Sequence, residues 1–218
     1  MSRFNRSVPR NPHRAVYSSS PDRGLETALR CWPQVRQAVP DAELHIYYGF
    51  QTWEACVQHD DGQKALIRHL KDMISENAKH GVYFHGRVDQ ATLAREYLAS
   101  GVWTYPSWFS ETSCISAMEA HAAGLRMITS PIAALNETVG NRGAMVHGDW
   151  LSAGYQTKFV EEVIKAMNKP DDGDRNVLQS FAHDNFSWDG VAKDWDAMLR
   201  QTISDVHSSP IVQYRGAF

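Results

Sequence analysis

Six short strand-like runs alternate with helical segments along the chain, and this alternation is the feature that most constrains the fold. Each run ends in Gly, Ser or Pro, the residues that mark turns. The runs are RAVYSSS, AELHIYYG, GVYFHG, GVWTYP, LRMITS and GAMVHG. Strands separated by helices form βαβ units, whose strands lie parallel in one sheet. The sequence therefore predicts an α/β fold, a Rossmann-like three-layer parallel sheet of about six strands flanked by helices.

The length of 218 residues is sufficient for one large domain with a sizeable core. We expect residues 1–13 to be a flexible arm or linker, residues 14–203 to form the domain, and residues 204–218 to be a loose tail. In the last helical segment Ser187 is placed as the N-cap. We expect the apolar stripe of that helix to be buried against the domain. The stripe consists of Val191, Trp195, Met198 and Leu199.

Composition excludes several classes of protein. A formal net charge of -3 argues against a general nucleic-acid binder. The three cysteines have no paired spacing, which argues against a disulfide framework or a zinc site and suits a reducing compartment. No apolar run approaches the roughly 18 residues of a membrane-spanning helix. We therefore expect a cytoplasmic protein with no transmembrane segment and no nucleic-acid partner.

Two loops rich in hydroxyl groups follow the first and the fourth strand. Their sequences are SSSPDRG and SWFSETS, and each leads into a helix. In the common strand order 3-2-1-4-5-6, strands one and four are neighbours at the point where the order reverses, which is where such sheets bind ligands. Helix N-termini favour phosphate, and Arg23 adds a cation beside one of them. The sequence thus indicates a site for a phosphorylated ligand.

Two glutamates accompany this predicted phosphate site. Glu119 lies two turns inside the helix that follows the fourth strand, where its carboxylate could accept both hydroxyls of a ribose. Glu111 lies at the mouth, where it could accept hydroxyls of a second sugar. Ribose, diphosphate and sugar together describe a nucleotide-sugar.

At these residues the chain resembles the C-terminal, donor-binding domain of retaining glycosyltransferases of the two-domain GT-B architecture, in the large family 4 group. The signature is E-x7-E, which Glu111 and Glu119 match within FSETSCISAMEAHAAG, after a strand and at the start of a helix. The resemblance extends upstream through FHGRV and YPSWF and downstream through ITSPIAALNETV. It covers about residues 14–200 and implies one half of a GT-B fold.

The resemblance also implies roles for individual residues. Glu119 would bind the ribose diol, and Glu111 would contact the transferred sugar. Backbone amides of the turn that contains Ser110, Thr112 and Ser113 would hold the phosphates and the sugar. The donor would carry UDP, GDP or ADP, and no metal or other cofactor is expected.

Four further residues take roles from the resemblance, and one position departs from it. Arg23 matches the lysine of the family's EKG turn and would neutralise the diphosphate. Gly86, Arg87 and Val88 follow the third strand, where the family's backbone reads the base. The family usually has a second basic residue five positions before that lysine, and this chain has Ser18 there. Stabilisation of the leaving group would then be weaker or supplied from elsewhere.

A full GT-B enzyme has two such domains, and this chain matches only the second. We therefore expect a donor-binding half that needs an acceptor domain as partner, or associates with itself, and that is poorly active alone. A non-catalytic module that binds a nucleotide or nucleotide-sugar is the alternative, because it would need the same donor site. A nucleotide-sugar epimerase on the same architecture fits the E-x7-E setting less well.

Other residues have ordinary structural explanations. The D-x-D sequence at Asp172 to Asp174 matches a metal signature of other glycosyltransferases, but it lies between two late helices, where Asp and Gly are typical of turns. We expect Trp103, Tyr105 and their aromatic neighbours in the fourth-strand region to form core and cleft wall. We expect His85 to be a hydrogen-bonded residue at a strand end.

Overall fold

The computed structural model describes residues 2–4, 7–170 and 173–208, with a six-stranded sheet at the centre. All five strand pairings are parallel, and the spatial order is β3-β2-β1-β4-β5-β6. The strands are β1 (Asn11–Tyr17), β2 (Glu43–Tyr47), β3 (Val82–Gly86), β4 (Ser100–Tyr105), β5 (Arg126–Thr129) and β6 (Ala144–Met145). The predicted Rossmann-like fold and its strand order are confirmed.

Helices cover both faces of this sheet and complete the three layers. The helices are α1 (Leu25–Ala38), α2 (Gln51–Cys56), α3 (Asp61–Asn77), α4 (Gln90–Ala99), α5 (Ile115–Ala122), α6 (Leu135–Thr138), α7 (Ala153–Asn168), α8 (Asp174–Phe186) and α9 (Trp188–Ser208). Helix α1 packs between α3 and α7, whereas α5 packs against α8. Among the described helices, none combines the length and the apolar character that crossing a membrane requires.

The core is centred on the strands in the middle of the sheet. Every residue of β4 and β5 is buried, and so are the last three residues of β1. Strands buried on both faces by flanking helices are mostly apolar, which explains the apolar runs in the sequence. At one edge of the sheet, β3 exposes Tyr83, Phe84 and His85. The buried middle of the sheet therefore fixes where the loops of the site begin.

The ends of the chain differ in detail from the sequence-based boundaries. Strand β1 begins at Asn11, before the expected start of the domain, and α9 runs through Ser208. A short 3-10 helix at Ser2–Phe4 contacts α4, and the ring of Phe4 meets Tyr97 edge-on with 6.4 Å between centroids. Met1, Asn5, Arg6 and residues 209–218 lie outside the described residues. The domain boundaries themselves stay predictions.

The prediction of a buried stripe on α9 was wrong. Trp195 is 57% exposed, Met198 and Leu199 are each 50% exposed, and only Val191 is half-buried. Helix α9 packs on α8, and residues 192–206 of its later turns are exposed. Periodicity identifies the apolar face of a helix but not what covers it. The proposed N-cap is confirmed, because the Gly190 amide donates to Ser187 Oγ at 3.2 Å.

Two buried histidines remain neutral in this fold. His45 on β2 is 7% exposed, and its Nδ1 is 3.0 Å from His85 Nε2. His121 on α5 is fully buried, with its Nε2 2.9 Å from the carbonyl of Thr138, to which it donates. Burial is the main cause that lowers the pKa of His45 and the pKa of His121, each to about 4. Protonating either ring therefore opposes folding.

We expect the free energy of unfolding to fall as the pH drops from 6.5 toward 4. The unfolded chain binds protons at histidine below its ordinary pKa of 6.5, whereas the folded histidines stay neutral down to about 4. The loss should approach about 1.4 kcal/mol per pH unit for each histidine. Urea unfolding at several pH values measures it. His121→Gln keeps a donor for Thr138 and should flatten the dependence, so an unchanged slope in that variant would contradict the assignment.

Candidate functional site

The loops that follow β1 and β4 meet at the carboxyl edge of the sheet. The two strands are neighbours in parallel register, with Val16 opposite Trp103. Gly24, just after the first loop, has φ +118°, and a Cβ there would lie 2.3 Å from the carbonyl oxygen of Pro106. Only glycine allows this backbone conformation and this close approach. The contact sets the distance between the two loops.

A charged cluster joins these loops. Arg23 Nη1 donates to both carboxylate oxygens of Glu111, at 3.2 and 3.3 Å. The hydroxyl of Tyr105, the last residue of β4, donates to Glu111 Oε1 at 2.6 Å, and Ser19 Oγ donates to that hydroxyl at 3.2 Å. The guanidinium carbon of Arg23 lies 3.9 Å from the ring centroid of Phe109. Arg23 and Glu111, which were predicted from separate loops, are thus in direct contact.

The surroundings of Arg23 favour its charged form. Glu111 is only 8% exposed, so its carboxylate depends on the three donated hydrogen bonds. Burial disfavours the Arg23 cation, but Glu111 outweighs burial and raises the pKa of Arg23. Two buried polar atoms beside this pair, Arg23 Nε and Asp22 Oδ1, have no hydrogen-bond partner among the described residues. Arg23 therefore keeps capacity for a further acceptor.

The turn that carries Ser110, Thr112 and Ser113 is exposed and leads into α5. The Glu111 carbonyl accepts from the amide of Ala134, at 3.0 Å, which ties this turn to the loop after β5. Among the described residues, no acceptor takes the amides of Thr112 and Ser113. Free amides before a helix N-terminus attract anions.

Glu119 lies on α5 beside a separate cavity of about 680 Å³. Its carboxylate makes no hydrogen bond with any described residue, and burial raises its pKa, while the charge of Arg3 acts in the opposite direction. The cavity lies between the starts of α4, α5 and α9. Its lining consists of Arg3, Phe4, Gln90, Ala94, Ser113, Ile115, Met118, Glu119, Asn185, Phe186, Trp188 and Val191. Ser113 links this cavity to the turn that holds Glu111.

The remaining predicted residues border the same edge of the sheet. Gly86 ends β3 with φ +67°, and its carbonyl accepts from the amide of Tyr48 at 3.0 Å. Arg87 is exposed and Val88 is half-buried. They precede α4, whose first residue lines the Glu119 cavity. Ser18 Oγ forms a hydrogen bond with the hydroxyl of Tyr97, so it faces α4 rather than Arg23.

Two structural expectations from the sequence are confirmed. Trp103 and Tyr105 are each 1% exposed, as core residues. His85 at the end of β3 forms a hydrogen bond with His45. Of the D-x-D sequence, Asp172 lies outside the described residues, and Asp174 begins α8 and contacts Lys169.

Sequence reasoning missed the hydrogen-bonding role of Tyr105 and Ser19. Ser19 stands in the first loop, whereas Tyr105 ends the strand before the second loop, and the sequence predicts only core and cleft wall for it. Its ring is indeed buried, while its hydroxyl reaches Glu111, six residues later, because the turn folds back over the strand end. Only the path of the turn reveals that contact.

A second cavity, of about 720 Å³, lies at the β6 edge of the sheet. It is lined by segments of β5, β6, α7 and α8, with Arg126 and Arg142 among them. None of the predicted site residues borders it. The predicted site residues therefore lie away from this cavity, although it is slightly larger than the cavity of Glu119.

Comparisons with known proteins agree with this fold. The model of the family "Glycosyl transferases group 1" matches residues 14–169. The fold is similar to that of the pneumococcal O-GlcNAc transferase in complex with UDP and GlcNAc, at TM-score 0.65 and 16% identity, covering 92% of this chain and 37% of that one. It is also similar to sucrose-phosphate synthase from Thermosynechococcus elongatus, at TM-score 0.59 and 22% identity, covering 88% of this chain and 46% of that one. No curated protein sequence matches the chain.

A third similar structure is the UDP-forming alpha,alpha-trehalose-phosphate synthase from Burkholderia vietnamiensis. Its TM-score is 0.63 at 13% identity, covering 86% of this chain and 44% of that one. This chain thus spans less than half the length of each of these three proteins. At these identities the likeness establishes the fold, which is that of one half of a GT-B glycosyltransferase.

We expect Gly24→Ala to destabilise the protein more than Gly173→Ala. Both glycines have positive φ, +118° and +89°, so alanine costs about 1–3 kcal/mol of backbone strain at each. A Cβ on Gly173 would meet nothing within 4 Å, whereas on Gly24 it would overlap Pro106 and add about 1–3 kcal/mol. Urea unfolding of both variants gives the difference. Equal losses would mean that the two loops do not pack this closely.

Proposed function

Because the chain belongs to the glycosyl transferases group 1 family, we propose that it binds a nucleotide-diphosphate sugar as the donor-binding half of a glycosyltransferase. The observation that carries this proposal is the Arg23–Glu111 contact at the strand-order reversal, next to the cavity that holds Glu119. A cation, free amides and two carboxylates at one sheet edge match the chemical parts of such a donor. That the pneumococcal transferase was solved with UDP and GlcNAc supports the same ligand class.

In this proposal the diphosphate lies at the helix N-terminus beside Arg23. The guanidinium already holds Glu111, and its Nε is free of partners among the described residues. Amides in the turn of Ser110, Thr112 and Ser113 add further donors. Ser18 supplies no second cation, so charge on the leaving group is stabilised mainly by Arg23 and these amides.

The sugars of the donor fall on either side of the diphosphate. Glu119 accepts hydrogen bonds from the ribose hydroxyls in its cavity, and Glu111 contacts the transferred sugar. The base lies near the backbone of Gly86, Arg87 and Val88, at the start of α4. Recognition of the base through backbone groups leaves its identity open among uracil, guanine and adenine.

We further propose retaining transfer without a metal ion, in a cleft whose second wall comes from an acceptor domain or another copy of this chain. The similar structures are more than twice as long as the part of them that this chain covers. Transfer requires an acceptor held beside the donor in a cleft that excludes water. The chain alone should therefore bind donor and transfer little sugar, with slow donor hydrolysis at most.

A panel of UDP-, GDP- and ADP-sugars in calorimetric and thermal-shift assays tests donor binding. A selective ligand at a hundredfold excess over Kd should stabilise the fold by about 2.7 kcal/mol. The absence of binding across the panel would refute the proposal. A non-catalytic module would bind from the same panel, so turnover after co-expression with candidate acceptor domains separates the two functions. Robust multi-turnover transfer by the verified monomer would place the acceptor site within this chain.

We expect Glu119→Gln to weaken nucleotide binding by about 1.5–3 kcal/mol while the fold is kept. A carboxylate that accepts two ribose hydroxyls makes charge-assisted hydrogen bonds, which the neutral amide loses. Calorimetry with the best nucleotide of the panel measures the loss. Glu161→Gln, on the exposed face of α7, is the control. Unchanged affinity in Glu119→Gln would place this residue outside the ribose site.

We expect Arg23→Ala to weaken the binding of a nucleoside diphosphate by about 1.5–3 kcal/mol. Binding of the bare nucleoside should weaken much less. Of the parts of the ligand, only the phosphates contact the guanidinium in the proposed arrangement. The control is Arg30→Ala on α1, whose guanidinium pairs with Glu26 one turn away. Affinity for the diphosphate should also depend less on salt in Arg23→Ala, since one screened cation is removed. Equal losses for both ligands would show that Arg23 does not touch the diphosphate.

A further inference from the structure

Tyr105 makes the shortest of the three hydrogen bonds to Glu111. Its hydroxyl lies 2.6 Å from Oε1, whereas Arg23 Nη1 lies 3.2 and 3.3 Å from the two oxygens. Ser19 Oγ donates to the same hydroxyl at 3.2 Å. The oxygen of Tyr105 therefore accepts from Ser19, and its proton is directed at the carboxylate. A hydrogen bond to a charged acceptor is stronger than one between neutral groups.

The tyrosine is a more rigid support for Glu111 than the arginine. Its ring is 1% exposed, at the end of a strand buried on both faces, with ring centroids 5.9 Å from Tyr17 and 5.4 Å from Trp103. The side chain of Arg23 is 32% exposed and extends from the opposite loop. A diphosphate would compete with Glu111 for that guanidinium. The hydroxyl of Tyr105 is held on the core side of the carboxylate, so its hydrogen bond to Glu111 would remain.

We propose that Tyr105 is a positioning residue for sugar recognition. Its hydroxyl fixes Oε1 of Glu111 and thereby aims Oε2 at a hydroxyl of the transferred sugar when Arg23 turns to the diphosphate. This inference rests on the proposed function. It assigns to Tyr105 an effect on the sugar part of the donor and none on the nucleotide part.

The test compares donor sugars with their parent nucleotides in Tyr105→Phe. Affinities are measured for UDP-glucose and UDP-GlcNAc against UDP, GDP-mannose against GDP, and ADP-glucose against ADP. The relevant pair is the one that the wild-type protein binds. For that pair, the affinity for the sugar donor divided by the affinity for its parent nucleotide should be about tenfold lower in the variant than in wild type. Its affinity for the parent nucleotide should stay within about twofold of wild type.

Tyr155→Phe is the matched control. That tyrosine is also buried, and its hydroxyl forms one hydrogen bond with Ser130 Oγ at 2.6 Å, away from Glu111. It should lose similar thermal stability with no change in the affinity ratio. If Tyr105→Phe does not fold, Ser19→Ala keeps the ring and removes the donor behind its hydroxyl. A smaller shift of the ratio in the same direction is then expected.

The outcomes separate this inference from the proposed function. A wild-type protein that binds none of these ligands overturns both. A wild-type protein that binds, with an unchanged ratio in Tyr105→Phe, overturns only the role of Tyr105. Equally weakened binding of the sugar donor and of the parent nucleotide in Tyr105→Phe also overturns the role of Tyr105, because a general disturbance of the structure would weaken the binding of both ligands.

Discussion

The parallel pairing of β1 with β4 is the interaction on which the site depends. It places the two loops side by side at the carboxyl edge, and Gly24 lets their backbones touch at Pro106. Arg23 on one loop then reaches Glu111 on the other, although they lie far apart in the chain. The strands themselves are held by burial on both faces, so the geometry of the charged pair derives from the core rather than from the loops.

The Arg23–Glu111 pair also constrains the ligand of the proposed donor site. A largely buried carboxylate is costly unless donors compensate it, and removing its cation would leave it poorly satisfied. A ligand that draws Arg23 away must therefore offer strong negative charge and leave Glu111 other partners. A diphosphate linked to a sugar does both, because the phosphates attract the cation and the sugar supplies hydroxyls. In the proposed exchange, the hydrogen bond from Tyr105 would keep the carboxylate partly compensated.

Much of the fold could be predicted, because its signals are local. Continuous apolar runs with turn residues at their ends identified the six strands, and the βαβ rule gave their parallel order. The short helix α2 was missed because its six residues are too few to show a helical period, and only Trp53 among them packs against the core. The strand order predicts that the loops after β1 and β4 meet at one edge of the sheet. That order therefore groups Arg23, Glu111 and Glu119 there. The hydrogen bond of Tyr105 could not be predicted in this way, since it depends on how one turn folds back, and no residue pattern encodes that path.

The exposed stripe of α9 and the proposed ligand site are parts of one surface. The stripe starts at Trp188, which is 80% exposed and borders the cavity of Glu119, and it continues along the helix through Trp195 to Val206. Large apolar side chains on one exposed helix face are typical of surfaces at which proteins associate. A partner that packed along this stripe would reach the rim of the cavity at the start of the helix. Such a partner would exclude water from the stripe and would close the donor site through the same contact.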